Sequence, residues 1–222
     1  MQKKKFFLIF LPIFALFAVL FNVDFKKLAD SFTSKTVAVE TVSFDYYVSP
    51  AGSDSNPGSS SRPLKTIQKA LEKAMPGESI YLSAGEYFED IRTVRNGIKS
   101  QPIKISGPRT AVVKGAGEDR VVQISHDYFV LDGFTIDGLR GSSSEKSNYR
   151  DMLVYMQGKE AGNGVEGVKI SNMEIKNSLG ECIRMKYFAK NNEISNNSIS
   201  NCGMEDFKFS GGGKNGEGIY IG

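Results

Sequence analysis

One internal near-repeat limits what this chain can fold into more than any other feature. The phrase VKISNMEIKNS, residues 168–178, returns 24 residues later as NEISNNSISNC, residues 192–202. Ile170 falls on Ile194, Ser171 on Ser195, Asn172 on Asn196, Ile175 on Ile199 and Asn177 on Asn201. A fixed period of this length marks a solenoid, in which each unit is too small to bury its own apolar face and does so by stacking on the next. The phrase also recurs upstream with looser spacing, as Leu131-Asp132-Gly133, Ile105-Ser106-Gly107 and Ile80-Tyr81-Leu82.

A second family of short apolar segments runs between these phrases: Val121 to Ile124, Leu153 to Met156, Ile183 to Met185 and Ile219 to Ile221. Each alternates apolar with variable residues, the period-2 pattern of a strand buried on one face. Two or three short strands per turn, separated by Gly, Asn and Ser, describe an all-β fold, a right-handed parallel β-helix. Asn suits the corners because it tolerates left-handed backbone angles and can hydrogen-bond to its equivalent in the next coil.

The chain has 222 residues, 40% hydrophobic and 24% charged, enough for one globular unit with appendages. Its formal charge is only +3, Lys3, Lys4 and Lys5 contribute to it, and the other basic residues are spread out, so no nucleic-acid partner is implied. One His excludes a His-based metal site or a His-dependent triad. Cys182 and Cys202 leave two readings open, a disulfide in an oxidising compartment or two buried thiols, and the second is favoured.

In chain order, residues 1–25 carry the three lysines and an apolar run from Phe6 to Phe21, read as a signal peptide or an uncleaved signal anchor. Either exports the rest of the chain, secreted or held by membrane contact through residues 6–23. Residues 26–43 read as a tether and 44–222 as the β-helix domain. That domain opens with a strand at Tyr46-Tyr47-Val48 and a turn-rich loop, Ala51 to Gly58. After Pro63, the apolar residues Leu64, Ile67, Ala70, Leu71 and Ala74 recur at helical spacing until Pro76-Gly77. This predicts an amphipathic helix capping the open end of the first coil. Two polar insertions, Arg140 to Arg150 and Gly203 to Asn215, interrupt the period and are expected on coil edges, as groove walls or as neutral loop variation. The sequence stops within a strand, Ile219 to Ile221, which reads as the amino-terminal portion of a longer protein.

The string YYVSPAGSDSNPGSSSRPLKTIQKALEKAMPGESIYLSAGEY, residues 46–87, resembles the opening of the pectate-lyase-like superfamily of right-handed parallel β-helices, especially secreted bacterial members related to family 9 polysaccharide lyases. The shared signs are a Tyr-Val strand, a G-x-D-x-N-P-G loop, a capping helix ending in Pro-Gly and a strand leading to a G-x-Y turn. After residue 87 the likeness is one of repeat pattern alone. The resemblance implies the fold. It implies activity less closely, because the superfamily also holds hydrolases, epimerases and binding or adhesion proteins.

In that superfamily, substrate lies along the outer face of one parallel sheet. With Ile183, Met185, Ile219 and Ile221 inward, the outward positions stack as Gln123, Tyr155, Arg184 and Tyr220, with Ser125, Gln157 and Lys186 in the next row. Such a ladder suits either an acidic sugar chain or plain solvent exposure. Gln123, Tyr155 and Tyr220 are the candidate substrate contacts, and Lys186 and Arg184 the candidate catalytic cations, because a lyase needs a base and a partner for the uronate carboxylate. Calcium is the cofactor the resemblance implies, with Glu181 and Glu217 as candidate ligands. Glu217-Gly218 stands where the related lyases carry Asp-Gly, a departure from the calcium-binding pattern. Asp132 and Asp137 read as turn residues, and His126 as a loop residue. The expected protein is an exported monomer that binds or degrades extracellular polysaccharide, in the most specific version by β-elimination of a uronate polymer, with a non-catalytic adhesive or structural β-helix as the alternative.

Overall fold

The structure, a computed structural model, describes residues 43–160, 162–210, 212–213 and 216–222. The leader and most of the tether expected before Ser43 lie outside the described residues. From Tyr46 onward the chain winds through three parallel sheets. The first contains β1 (Tyr46–Val48), β2 (Ser79–Leu82), β5 (Ile103–Ser106), β8 (Phe129–Asp132), β11 (Lys169–Ser171) and β14 (Glu193–Ser195). The second holds β3 (Gly85–Tyr87), β6 (Ala111–Val113), β9 (Thr135–Asp137), β12 (Glu174–Lys176) and β15 (Ser198–Ser200). The third holds β4 (Ile91–Arg92), β7 (Arg120–Ile124), β10 (Met152–Met156), β13 (Ile183–Met185) and β16 (Ile219–Ile221). The chain visits the sheets in rotation, and this is the β-helix that the repeat predicts.

The register follows the repeated phrases. Ile80, Ile105, Leu131, Ile170 and Ile194 are successive partners in the first sheet, and Val122, Val154, Ile183 and Ile219 in the third. Ile80, Ile105, Leu131 and Ile170 are at most 2% exposed, each stabilising the fold by roughly 1.5–3 kcal/mol through burial. The pairing of Leu131 with Ile170 holds across the longer spacing, because the first insertion leaves the coil at one edge and returns without shifting the strands.

Polar corners fasten the coils. Asn172 and Asn196 both hold φ 57°, and Asn177 and Asn201 hold 65° and 53°, the left-handed region that Asn tolerates. The Asn201 amide donates to Asn177 Oδ1 at 3.0 Å, and Asn177 donates to Asp137 Oδ1 at 2.7 Å, a ladder spanning three coils. Asn197 accepts from the Met173 N–H and donates to the Ile170 carbonyl, and so satisfies backbone groups of the coil before it. Asp132 accepts from Asn172 at 2.7 Å and from Ser171 at 3.0 Å, the turn role expected of it.

The helix α1, Ile67–Lys73, packs against β1, β2 and β4 and buries Ile67, Ala70 and Leu71. It is shorter than its apolar spacing predicts. Leu64, although fully buried, lies in extended backbone and bridges to Val48. The reason is Asp54, whose carboxylate accepts from the Lys65 and Thr66 N–H groups and the Thr66 hydroxyl, all at 2.9 Å, and so holds these residues outside the helix. Thr66 then accepts from Lys69 N–H at 3.2 Å, while Glu89, from the loop after β3, accepts from Ile67 and Gln68 at 2.8 and 2.9 Å. The free donors of the first turn are thus met by side chains.

Candidate functional site

The outer face of the third sheet carries the expected ladder and extends it. Arg92, Gln123, Tyr155, Arg184 and Tyr220 are register partners on β4, β7, β10, β13 and β16. Alternation turns their neighbours Val122, Val154 and Ile183 into the core, so this row faces outward. Arg92 and, below it in the same strand system, Arg120 were not among the residues the sequence singled out. Arg92 stands one coil before Gln123 in the same slot, a signal that the two-residue strand β4 makes faint.

The ladder is built of cation–aromatic contacts. The Arg120 guanidinium lies 3.6 Å from the Tyr155 ring centroid, and the Tyr155 hydroxyl donates to Gln157 Oε1 at 2.5 Å. Tyr155 is 5% exposed, so its ring is already covered by Arg120 and its surface role is to hold that cation. Gln123 donates to Ser125 Oγ at 3.4 Å and stays half-buried. Arg184 sits 4.9 Å from the Tyr220 ring centroid, and Lys186 Nζ lies 5.6 Å from the same ring and 5.1 Å from that of Tyr187. Arg184, Lys186 and Tyr220 therefore come together, as expected, while Gln123 and Tyr155 belong with Arg120.

Glu181 is buried, with its side chain 3% exposed, and its Oε1 lies 3.0 Å from Arg184 Nη2. Glu217 is exposed. A calcium ion takes six to eight oxygens, usually including several carboxylates. Among the described residues no three of Asp, Glu, His or Cys converge on one point, and the Glu181 carboxylate is engaged by a guanidinium. The described residues do not fit a calcium cage.

Loops flank both edges of this face. Between the second and third sheets, the two insertions pack on each other: the Tyr149 and Phe209 rings meet edge to face at 5.6 Å, Lys208 Nζ lies 3.3 Å from the Tyr149 hydroxyl, and Lys146 pairs with the buried Glu205. The first insertion contains a 3-10 turn, Lys146–Asn148, and the second a one-turn helix α2, Met204–Phe207. Beneath them Cys182 and Cys202 are joined in a disulfide, the pairing the sequence reading disfavoured. The two cysteines lie on successive coils, and their Cα atoms stand 5.5 Å apart, within the span a disulfide bridges. On the other edge, between the third and first sheets, the loop after β7 holds His126, 7% exposed, with Nδ1 2.8 Å from Thr93 Oγ1. Burial and the charge of Lys159 hold its pKa below the ordinary range for His. It borders a shallow depression of about 260 Å³, shared with Asn96, Asp127 and the loop after β10.

Comparison with known proteins places this arrangement. Residues 46–221 match the family described as Pel9A-like, right handed beta helix region. A protein of Bacillus subtilis (strain 168), YwoF, uncharacterised, is 32% identical over 153 residues, which is 61% of this chain and 31% of that protein. Pectate lyase PEL9 of Emericella nidulans is 42% identical over 60 residues, 26% of this chain and 15% of the lyase. Among solved structures, pectate lyase Pel9A superposes with a TM-score of 0.59 at 18% identity over 79% of this chain and 46% of the enzyme. A rhamnogalacturonan lyase does so at 0.53 and 17% identity, over 80% and 50%. The chain spans about a third or less of these curated relatives and about half of these solved proteins. At such identities the solved structures speak to the fold, and the family match covers most of the chain. A 24-residue repeat, three parallel sheets in rotation and a family match from the first strand to the last have one reading: this chain belongs to the Pel9A-like right-handed β-helix family.

Proposed function

We propose that the protein acts outside the cytoplasm on a uronate-containing polysaccharide, which lies along the outer face of the third sheet and is cleaved by β-elimination. The observation that carries the reading is the group of Arg184, Lys186 and Tyr220 on that face, two basic side chains sharing one aromatic ring. Such a group suits a sugar ring that bears a carboxylate: the aromatic face meets the C–H side of the ring and a guanidinium pairs the carboxylate. Family membership, and relatives named as lyases, support the same class of chemistry. The apolar leader at residues 6–21 and the disulfide support export, since disulfides persist in oxidising compartments.

In the proposed reaction Arg184 pairs the uronate carboxylate and lowers the cost of the carbanion that forms beside it. Lys186 takes the proton from C5. The electron pair forms the C4–C5 double bond, the C4–O glycosidic bond breaks, and the leaving oxygen takes a proton from solvent or from Lys186. Glu181 acts as a positioning residue by holding Arg184 in place.

The protein expressed from Phe44 onward, mixed with pectic, alginate and glycosaminoglycan chains, should generate the ultraviolet absorbance of an unsaturated uronate on one of them. Replacing the base, Lys186→Ala, should lower the rate by roughly 100-fold or more, with an unchanged melting temperature because the residue is on the outer face. A flat trace on every polymer from the folded protein would sink the lyase reading. The second reading, a binding or structural β-helix, draws on the Glu181–Arg184 pair, which already engages one of the two cations that the reaction calls on.

A further inference from the structure

The middle of the third-sheet face holds a cation that the fold leaves without a counter-charge. β7 and β10 lie side by side with β4 on one flank and β13 on the other, so the coils that border this surface are both present. Arg120 starts in the slot opposite Met152 and reaches diagonally onto Tyr155, its guanidinium 3.6 Å from the ring centroid. Arg92, one coil earlier, fixes the base of that side chain. Its Nη1 donates to the Arg120 carbonyl at 3.1 Å, its Nη2 pairs with Glu118, and its own N–H donates to Gln68 Oε1 of α1 at 2.8 Å. The Tyr155 ring is locked in turn by its hydroxyl, which donates to Gln157.

The neighbouring arginines are engaged inside the protein. Arg92 pairs with Glu118, Arg184 pairs with Glu181 at 3.0 Å, and Arg95 donates to the Leu71 and Glu72 carbonyls at the carboxyl end of α1. Arg120 pairs with no carboxylate among the described residues, and its polar contact, Nη1 to Gln123 Oε1 at 3.5 Å, stands at the outer limit for a hydrogen bond. Its Nε and Nη2 have no partner among the described residues and are not buried, whereas the partnerless Nε of Arg150 is buried. Those donors are open to solvent. An aromatic face that holds a guanidinium flat fixes the plane of its N–H fork, so little freedom is lost when a ligand arrives. A fork so held matches a carboxylate, which accepts two parallel hydrogen bonds in one plane.

We propose that Arg120 is a specificity-determining residue, which binds the carboxylate of a uronate near the one held at Arg184. The inference rests on the reading of the third-sheet face as the uronate site. Tyr155 and Arg184 are register partners on adjacent strands, about 4.8 Å apart, so a polymer lying along the solenoid axis meets both groups. The pair then selects a polymer whose acidic units follow closely on one another over one that carries an isolated uronate among neutral sugars. No bond of the substrate is broken at Arg120.

The test measures calorimetric binding of galacturonate and mannuronate hexamers, and of the same hexamers with their carboxyl groups reduced to alcohols. The proteins compared are the unaltered chain, Arg120→Gln and Arg120→Lys, with melting temperatures and unsaturated-product formation followed separately. The expected result is binding of one hexamer that is lost on carboxyl reduction and weakens roughly tenfold or more in Arg120→Gln. Arg120→Lys should recover only part of the affinity, since an ammonium keeps the charge but not the planar fork. Binding of neither hexamer, or equal binding by the unaltered protein and Arg120→Gln, overturns the subsite. Equal affinity for a hexamer and its reduced form overturns the assignment to a carboxylate, a comparison that needs no variant to fold. Full affinity in Arg120→Lys overturns recognition by the fork. Hexamer binding that Arg120→Gln weakens, without unsaturated product from any polymer, upholds the subsite and removes the lyase chemistry alone, so the two failures are distinguishable.

Discussion

At the scale of single residues, the polar corners decide how this fold responds to pH. Burial works against ionisation of Asp132, but the hydrogen bonds from Asn172 and Ser171 and the nearby Lys104 ammonium outweigh it and hold the carboxyl below its ordinary value of 3.8. A carboxyl depressed on folding stabilises the folded state above its unfolded pKa and loses that contribution as pH falls through the folded one. Relative to Asp132→Asn, the unaltered protein should gain on the order of 1 kcal/mol at neutral pH. That gain should vanish in acid below the ordinary carboxylate range, as urea midpoints measured across pH will show. Glu89 runs the other way: its burial, the strongest influence, outweighs two backbone N–H donors and raises its pKa. Its contribution is therefore largest in acid and declines as pH rises through the raised value. Asp132 was legible as a turn residue from its place in a repeated phrase. Glu89 was not legible as the partner of the α1 amino terminus, because the groups it meets lie 21 and 22 residues earlier and belong to no repeat.

At the scale of elements, the disulfide ties the coil of β11, β12 and β13 to that of β14, β15 and β16, and the paired insertions tie the latter to the coil of β8, β9 and β10. Cys182 and Cys202 close a loop with a sequence separation of 20, and a crosslink of that span stabilises by about 3 kcal/mol in the chain-entropy picture. Adding reductant should therefore lower the melting temperature by several degrees, and the double variant Cys182→Ala, Cys202→Ala should match the reduced protein and be indifferent to reductant. Equal melting with and without reductant would show that the bond contributes nothing. Strand positions were legible here to within a residue or two, because inward apolar positions repeat and the register has to align them. The pairing of the cysteines was not, since spacing alone leaves thiols and a disulfide equally compatible with burial. The start of α1 was displaced for a related reason, as the apolar period from Leu64 is genuine but Asp54 takes the backbone donors that would have begun the helix there.

At the scale of the whole molecule, the outer face of the third sheet concentrates cations on a chain whose formal charge is only +3. Exposed electrostatics of this kind are screened by salt, the Debye length falling from about 10 Å at 0.1 M to about 3 Å at 1 M. Binding of a uronate polymer to the ladder should weaken across that range, as affinity electrophoresis at graded salt would reveal. The sequence by itself determined the coil: period-2 alternation chose the inward face, the repeated phrases chose the register, and Asn at the corners chose the turns. These are local or periodic demands, and every coil restates them. Only the tertiary structure decided that Arg120 covers Tyr155, that Glu181 holds Arg184, and that the two insertions lock together. Outward positions carry no burial constraint and repeat no pattern, so their partners are chosen by which side chains the finished solenoid sets next to one another.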